Sequence, residues 1–233
     1  MAPNPLSIVL IRHAVSLANV DPAIYATTPD HAVPLASPDD DSHALSAGQV
    51  IASLGHAVTD VCSWSSSYVR CKQTETLVMG RAFGDAGARI RRRESFLLRE
   101  QEFGEWDGLL EKDISERYPE LFEKRRRLAD MQGRFYFRFP NGESRADVVQ
   151  RIAIFIGKLH RSDYPHHVVF LHGVTQRAFR MAWFDRPPEW FEEEPNPRPA
   201  SVLIIRRDEN GRWQETYLQN DGPQVPPAVP VVP

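Results

Sequence analysis

A chain of 233 residues that is 42% hydrophobic can bury one sizeable core. Its net charge of −3, close to balance, excludes a general nucleic-acid binder. Two cysteines without metal-ligand spacing, no cationic-then-apolar leader and no apolar run of spanning length predict a cytoplasmic protein with no membrane partner and no metal.

Residues 7–19, SIVLIRHAVSLAN, begin with an unbroken apolar run from Ile8 to Ile11. So short a run reads as a strand buried on both faces. Arg12 and His13 follow at its C-terminal end, where α/β sheets place their ligand crevice. With the carboxamide of Asn19 they suit an oxyanion. Residues 20–41, rich in Pro, Asp and Ala, read as a long loop, a feature that is usually functional. Helical spacing over 45–57 predicts a helix with Ser46 as its N-cap. Residues 61–63 read as a strand that leads into Ser65, Ser66 and Ser67. A helix over 68–79 then carries Arg70 in its first turn. A cation there opposes the helix dipole and makes sense beside a bound anion.

Residues 89–96 read as an edge strand. Residues 97–108, LLREQEFGEWDG, form a loop that carries Glu100 and is anchored by Phe103 and Trp106. Two exposed helices broken at Pro119 follow over 111–130, with the basic run 124–127 as a solvated face. The aromatic stretch from Phe135 to Phe139 is expected over a pocket. After a turn at 140–147, Ser144 caps a helix that runs to about Arg161. A second apolar run, 167–171, ends at His172-Gly173 and repeats the opening arrangement, with a helix over 175–184 behind it. A Pro- and Glu-rich connector spans 187–199, and strands at 201–206 and 213–218 flank Asn210-Gly211 as a hairpin. Residues 222–233 read as an extended or disordered tail.

Strands alternating with helices predict a three-layer α/β/α sandwich on a mostly parallel sheet. The domain would cover 1–221, with a small helical and loop cap inserted at about 100–145. Topology rules set the ends of the two apolar strands side by side. That gathers Arg12, His13, Arg70 and His172, with Glu100 on a neighbouring loop. Two arginines and two histidines without a carboxylate cluster describe an anion site better than a metal site. A phosphate-ester hydrolase needs a nucleophile, donors for the phosphoryl oxygens and an acid for the leaving group. Each role has a candidate here, and Glu102 and Glu105 stand beside Glu100 as alternative acids.

LIRHAVSLAN resembles the signature of the histidine phosphatase superfamily, in the branch that includes cofactor-dependent phosphoglycerate mutases. LSAGQ, SSSYVRCKQT, LREQEFGEWDG, NGESRADVVQR and LHGVTQR follow in the family's order, between about Ile8 and Arg180. YATTPDH (25–31) and GRFYFRFPNGESRADV further resemble a mutase-like group of plants, fungi and bacteria, generally regarded as phosphatases of uncertain substrate.

The resemblance implies a metal-independent phosphatase without a cofactor, acting on a small phosphomonoester as a monomer or homodimer. His13 would be the nucleophile and form a phosphohistidine. Arg12, Arg70 and His172 would clamp the phosphoryl oxygens, with Asn19 and Gly173 alongside. Glu100 leads its neighbours by motif, as general acid and then as base for the attacking water. Ser16, Glu143, Phe135 and Tyr136 are further candidates for contact with substrate. Ala14 and Val15 stand where the family usually has Gly and Glu. Val15 removes an acidic group that in mutases often lies near the substrate, which favours hydrolysis over phosphoryl return. A mutase and a weakened phospho-ligand binder are the alternative readings.

Overall fold

The computed structural model describes residues 5–109 and 111–224. The expected tail beyond 224 lies outside the described residues. Six strands form one sheet: β1 (Ser7–Arg12), β2 (Val61–Ser65), β3 (Arg91–Glu94), β4 (His166–Leu171), β5 (Val202–Arg207) and β6 (Trp213–Gln219). Their order is β3-β2-β4-β1-β5-β6. The first four run parallel, and β5 and β6 close one side as antiparallel strands. The helices are α1 (Leu17–Val20), α2 (Ser42–Ser53), α3 (Val69–Phe83), α4 (Glu111–Arg117), α5 (Pro119–Gln132), α6 (Arg145–His160), α7 (Gly173–Phe184) and α8 (Pro188–Glu193).

Alternation along the strands builds two cores. Ile8, Leu10, Leu171 and Leu203 face α6 and α7, where Phe155 and Phe179 pack. Val9, Ile11, Phe170 and Val202 face α2 and α3. The sheet is therefore buried on both sides, and β1 and β4 are apolar on both because neither face meets water. The α2–α3 contact is close at Gly48, where a Cβ would stand 2.6 Å from the Cβ of Arg81. The three layers and the mostly parallel sheet are those expected from the sequence.

Local signals place most ends. Ser144 caps α6 in a capping box with Asp147. Helix α2 starts earlier than expected: Asp41, not Ser46, is the cap and accepts from the Ala44 N–H at 2.9 Å. A carboxylate satisfies that N–H and suits the positive helix end, so the helix gains another turn. The 187–199 connector contains α8, which opens with proline at its first position. Residues 20–41 hold two 3-10 turns, Pro22–Ala26 and Asp30–Ala32.

A third cluster gathers Trp106, Ile114, Phe137 and Phe139, with Phe103, Tyr118 and Phe122 against it. Arg125 points into it, 7% exposed, with its guanidinium 5.3–5.7 Å from the rings of Trp106, Phe137 and Phe139. The reading of 124–127 as a solvated face therefore fails at Arg125, whose cation finds three aromatic faces. Lys124, Arg126 and Arg127 are exposed. Among the described residues, no helix is long and apolar enough to cross a membrane.

Candidate active site

The site forms where β1 and β4 end. Arg12 is in register with Leu171, so His13 and His172 leave the sheet as neighbours. The backbone N–H of His13 donates to the Leu171 carbonyl at 2.9 Å. Their rings meet edge to face with centroids 5.2 Å apart. Both are almost wholly buried, at 4% and 0% exposure.

The Nδ1 of His13 lies 2.7 Å from the Ala14 carbonyl oxygen. A carbonyl only accepts, so Nδ1 carries the proton and Nε2 holds the lone pair. Burial first, then the charges of Arg70 and Arg12, hold the His13 pKa well below the usual histidine range. The imidazole is thus neutral. Burial, then Arg70 and His13, depress His172 in the same way. The Nε2 of His172 is 2.9 Å from the Ser66 hydroxyl. Ala14 donates its N–H to Thr74 Oγ1 at 3.0 Å, and that hydroxyl donates to the Arg70 carbonyl at 2.7 Å. The turn after His13 is thereby tied to the start of α3, and the small Ala14 is fully buried in it.

A cavity of about 20 Å³ adjoins His13, room for about one water molecule. Arg12, His13, Ser16, Asn19, Arg70 and Glu100 line it, together with Tyr25, Asp30, Phe103 and Asp107. Arg12 donates Nη1 to the Pro197 carbonyl at 2.6 Å. Burial brings its pKa down to about 10 against the raising influence of Glu100. Arg70 donates Nη1 to Asp30 Oδ1 at 2.8 Å and to the Asp30 carbonyl at 2.6 Å. Burial alone would lower Arg70, but the Asp30 carboxylate outweighs it and raises its pKa. The Oδ1 of Asn19 accepts from the N–H and hydroxyl of Ser16, closing the start of α1.

Glu100 reaches the first turn of α7. Its carboxylate accepts from the N–H of Val174 and of Thr175, each at 3.3 Å, and from the Thr175 hydroxyl at 3.1 Å. Glu102 instead pairs with Arg99 at 3.0 Å, and Glu105 accepts from Asn141. Neither lines the cavity. Gly173 opens α7 beside Asn196 and Arg12; a Cβ there would stand 3.0 Å from the Asn196 carboxamide and 3.7 Å from the Arg12 guanidinium.

Three of the further candidates lie elsewhere. Glu143 does not line the cavity: its carboxylate accepts from Arg99 at 2.7 Å and from Arg151 at 2.9 and 3.0 Å. Arg151 in turn donates to the carbonyls of Leu97 and Glu100. Glu143 thus sits behind the loop that presents Glu100. Phe135 packs on Phe191 with centroids 5.5 Å apart, and its N–H donates to Glu192 at 2.7 Å. Tyr136 is exposed. Ser16 does line the cavity, and it also caps α1. Tyr25, Asp30 and Asp107 join the site beyond the residues singled out in the sequence; the first two lie in the 20–41 loop, within YATTPDH. The close crossing of the Glu100 loop with residues 140–142 depends on Gly104 at φ +59°, where a Cβ would be 2.0 Å from the Pro140 carbonyl oxygen.

A sequence profile of the histidine phosphatase superfamily (branch 1) matches residues 8–221. A phosphoglycerate mutase-like protein of Arabidopsis thaliana is 33% identical over 228 residues, covering 90% of this chain and 67% of that one. A broad-range acid phosphatase of Saccharomyces cerevisiae is 36% identical over 121 residues, covering 48% of this chain and 33% of its own. The solved structure of a mycobacterial glucosyl-3-phosphoglycerate phosphatase matches the fold with a TM-score of 0.67 at 22% identity, covering 91% of this chain and 97% of that one. With the profile spanning nearly all the described residues, the chain belongs to the histidine phosphatase superfamily, branch 1.

Proposed function

We propose that the protein is a metal-independent phosphatase that hydrolyses a phosphomonoester through a phosphohistidine on His13. The observation that carries this is the placement of His13, its Nδ1 2.7 Å from the Ala14 carbonyl oxygen and its ring beside two buried guanidiniums and a carboxylate. The Nε2 attacks phosphorus, and the P–O bond to the leaving group breaks. Glu100 protonates the departing oxygen. It then takes a proton from water, which attacks the phosphohistidine and returns His13 and inorganic phosphate. Arg12, Arg70 and His172 stabilise the charge on the transferring group, and a guanidinium fork matches its oxygens. The acid phosphatase relative and the glucosyl-3-phosphoglycerate phosphatase fold neighbour support hydrolysis.

Hydrolysis of p-nitrophenyl phosphate by wild type and His13→Ala tests this reading. Activity that vanishes in the variant and persists in chelator is expected; full activity in His13→Ala would sink it. A mutase remains the second reading, favoured by the name of the Arabidopsis relative. Stimulation by a bisphosphorylated glycerate would mark it, and Val15 weighs against it.

A further inference from the structure

A second cavity, of about 500 Å³, meets the first at Arg12, the one residue that lines both. Arg134, Arg145, Arg177 and Arg198 also line it, on the side of α6, α7 and the segment after α8. Among the described residues, none of these five arginines makes an ion pair. Three glutamates line it as well: Glu194 pairs with Arg180, Glu192 accepts the Phe135 N–H, and Glu193 is exposed, so five guanidiniums face three carboxylates.

Arg12 and Arg177 are each 7% exposed, and in each the Nε–H is buried without a partner. Arg177 donates Nη1 only to the carbonyls of Phe191 and Glu194, at 3.2 and 3.0 Å. Burial, then the charge of Arg145, brings Arg177 down to about 10. Arg145 is the first residue of α6, an end that repels cations, and burial lowers it too. Unpaired buried charge is costly to hold. A cluster of this kind is in balance when an anion sits in it, and guanidinium forks favour oxygens at phosphate geometry.

We propose that this cavity is a second anion site, which takes a phosphate-type oxyanion and shares Arg12 with the His13 pocket. The oxyanion comes either from a second acidic group of the substrate or from free inorganic phosphate. An anion there neutralises the outer side of Arg12 and leaves its guanidinium held for the transferring group. The link to catalysis rests on the phosphatase reading; the binding itself does not.

Calorimetric titration of the full chain with inorganic phosphate tests it. Wild type should take up two equivalents, and Arg145→Gln and Arg177→Lys one. The lysine variant keeps the buried charge and guards against misfolding of the glutamine one. One equivalent in wild type, or two in both folded variants, would overturn the proposal. Kinetics assign the source. A rise of about tenfold in KM for a bisphosphate, with p-nitrophenyl phosphate unmoved, marks a second substrate group. Loss of the response of p-nitrophenyl phosphate hydrolysis to added phosphate marks free anion. If His13→Ala stays active yet the two-equivalent count holds, the phosphatase mechanism fails and the anion site stands.

Discussion

Arg70 and Asp30 face each other fork to fork, Nη1 to Oδ1 at 2.8 Å and Nη2 to Oδ2 at 3.3 Å, with side chains 4% and 14% exposed. Asp30 belongs to a 3-10 turn of the 20–41 segment, so the pair fastens that segment over His13. It also orients a guanidinium that, on the proposed mechanism, meets the phosphoryl group.

Asp30→Asn leaves Arg70 partly unpaired in a buried place. Thermal unfolding should show a loss of about 1–3 kcal/mol. Inorganic phosphate should restore more stability to the variant than it adds to wild type, because it replaces the lost anion. Equal gains in both proteins would show that Arg70 does not meet the phosphate.

Burial of His13 and His172 contributes to the acid limb of stability, as does that of His167, whose pKa burial brings down to about 4. Folded His13 and His172 hold their pKa values well below the usual range, by burial first and then by arginine charge. The unfolded chain binds protons at both as pH falls through about 6.5, and the folded chain does not. Stability is therefore complete above about 6.5 and declines with acid below it. The Tm of His13→Gln should fall less steeply over that window than the Tm of wild type. Parallel slopes would contradict a buried neutral His13.

Glu100→Gln should lower kcat for an alkyl phosphate about 10²–10⁴-fold, and for p-nitrophenyl phosphate less, since nitrophenolate leaves without a proton. Glu143→Gln loosens Arg99 and Arg151 behind the Glu100 loop. It should lower kcat about tenfold, with the same dependence on leaving group and little change in KM. A change in KM alone would place Glu143 against substrate instead.

The parts of the site that were legible in the sequence are those tied to regular elements. Arg12, His13 and His172 sit where apolar strands end, and Arg70 sits in a first helical turn. Periodicity and the β-α alternation report such positions directly. Asp30, Tyr25 and Asp107 lie in irregular or 3-10 backbone, where no period links residue to face. The partners of Glu143 could not be read locally, because they lie 44 residues upstream at Arg99 and eight downstream at Arg151. The α2 cap shifted for a local reason, the choice between two capping side chains, Asp41 and Ser46, in neighbouring turns. The arginine cavity is built from six separate segments, so no local pattern announces it.

The central claim is covalent transfer to His13. Rapid acid-free quenching of wild type during turnover of a labelled phosphomonoester, followed by peptide mass analysis, tests it most directly. An acid-labile, base-stable phosphate on His13 is expected, absent in His13→Ala and, with p-nitrophenyl phosphate as the labelled substrate, accumulating in Glu100→Gln. Turnover without any labelled residue, or with the label elsewhere, would contradict it.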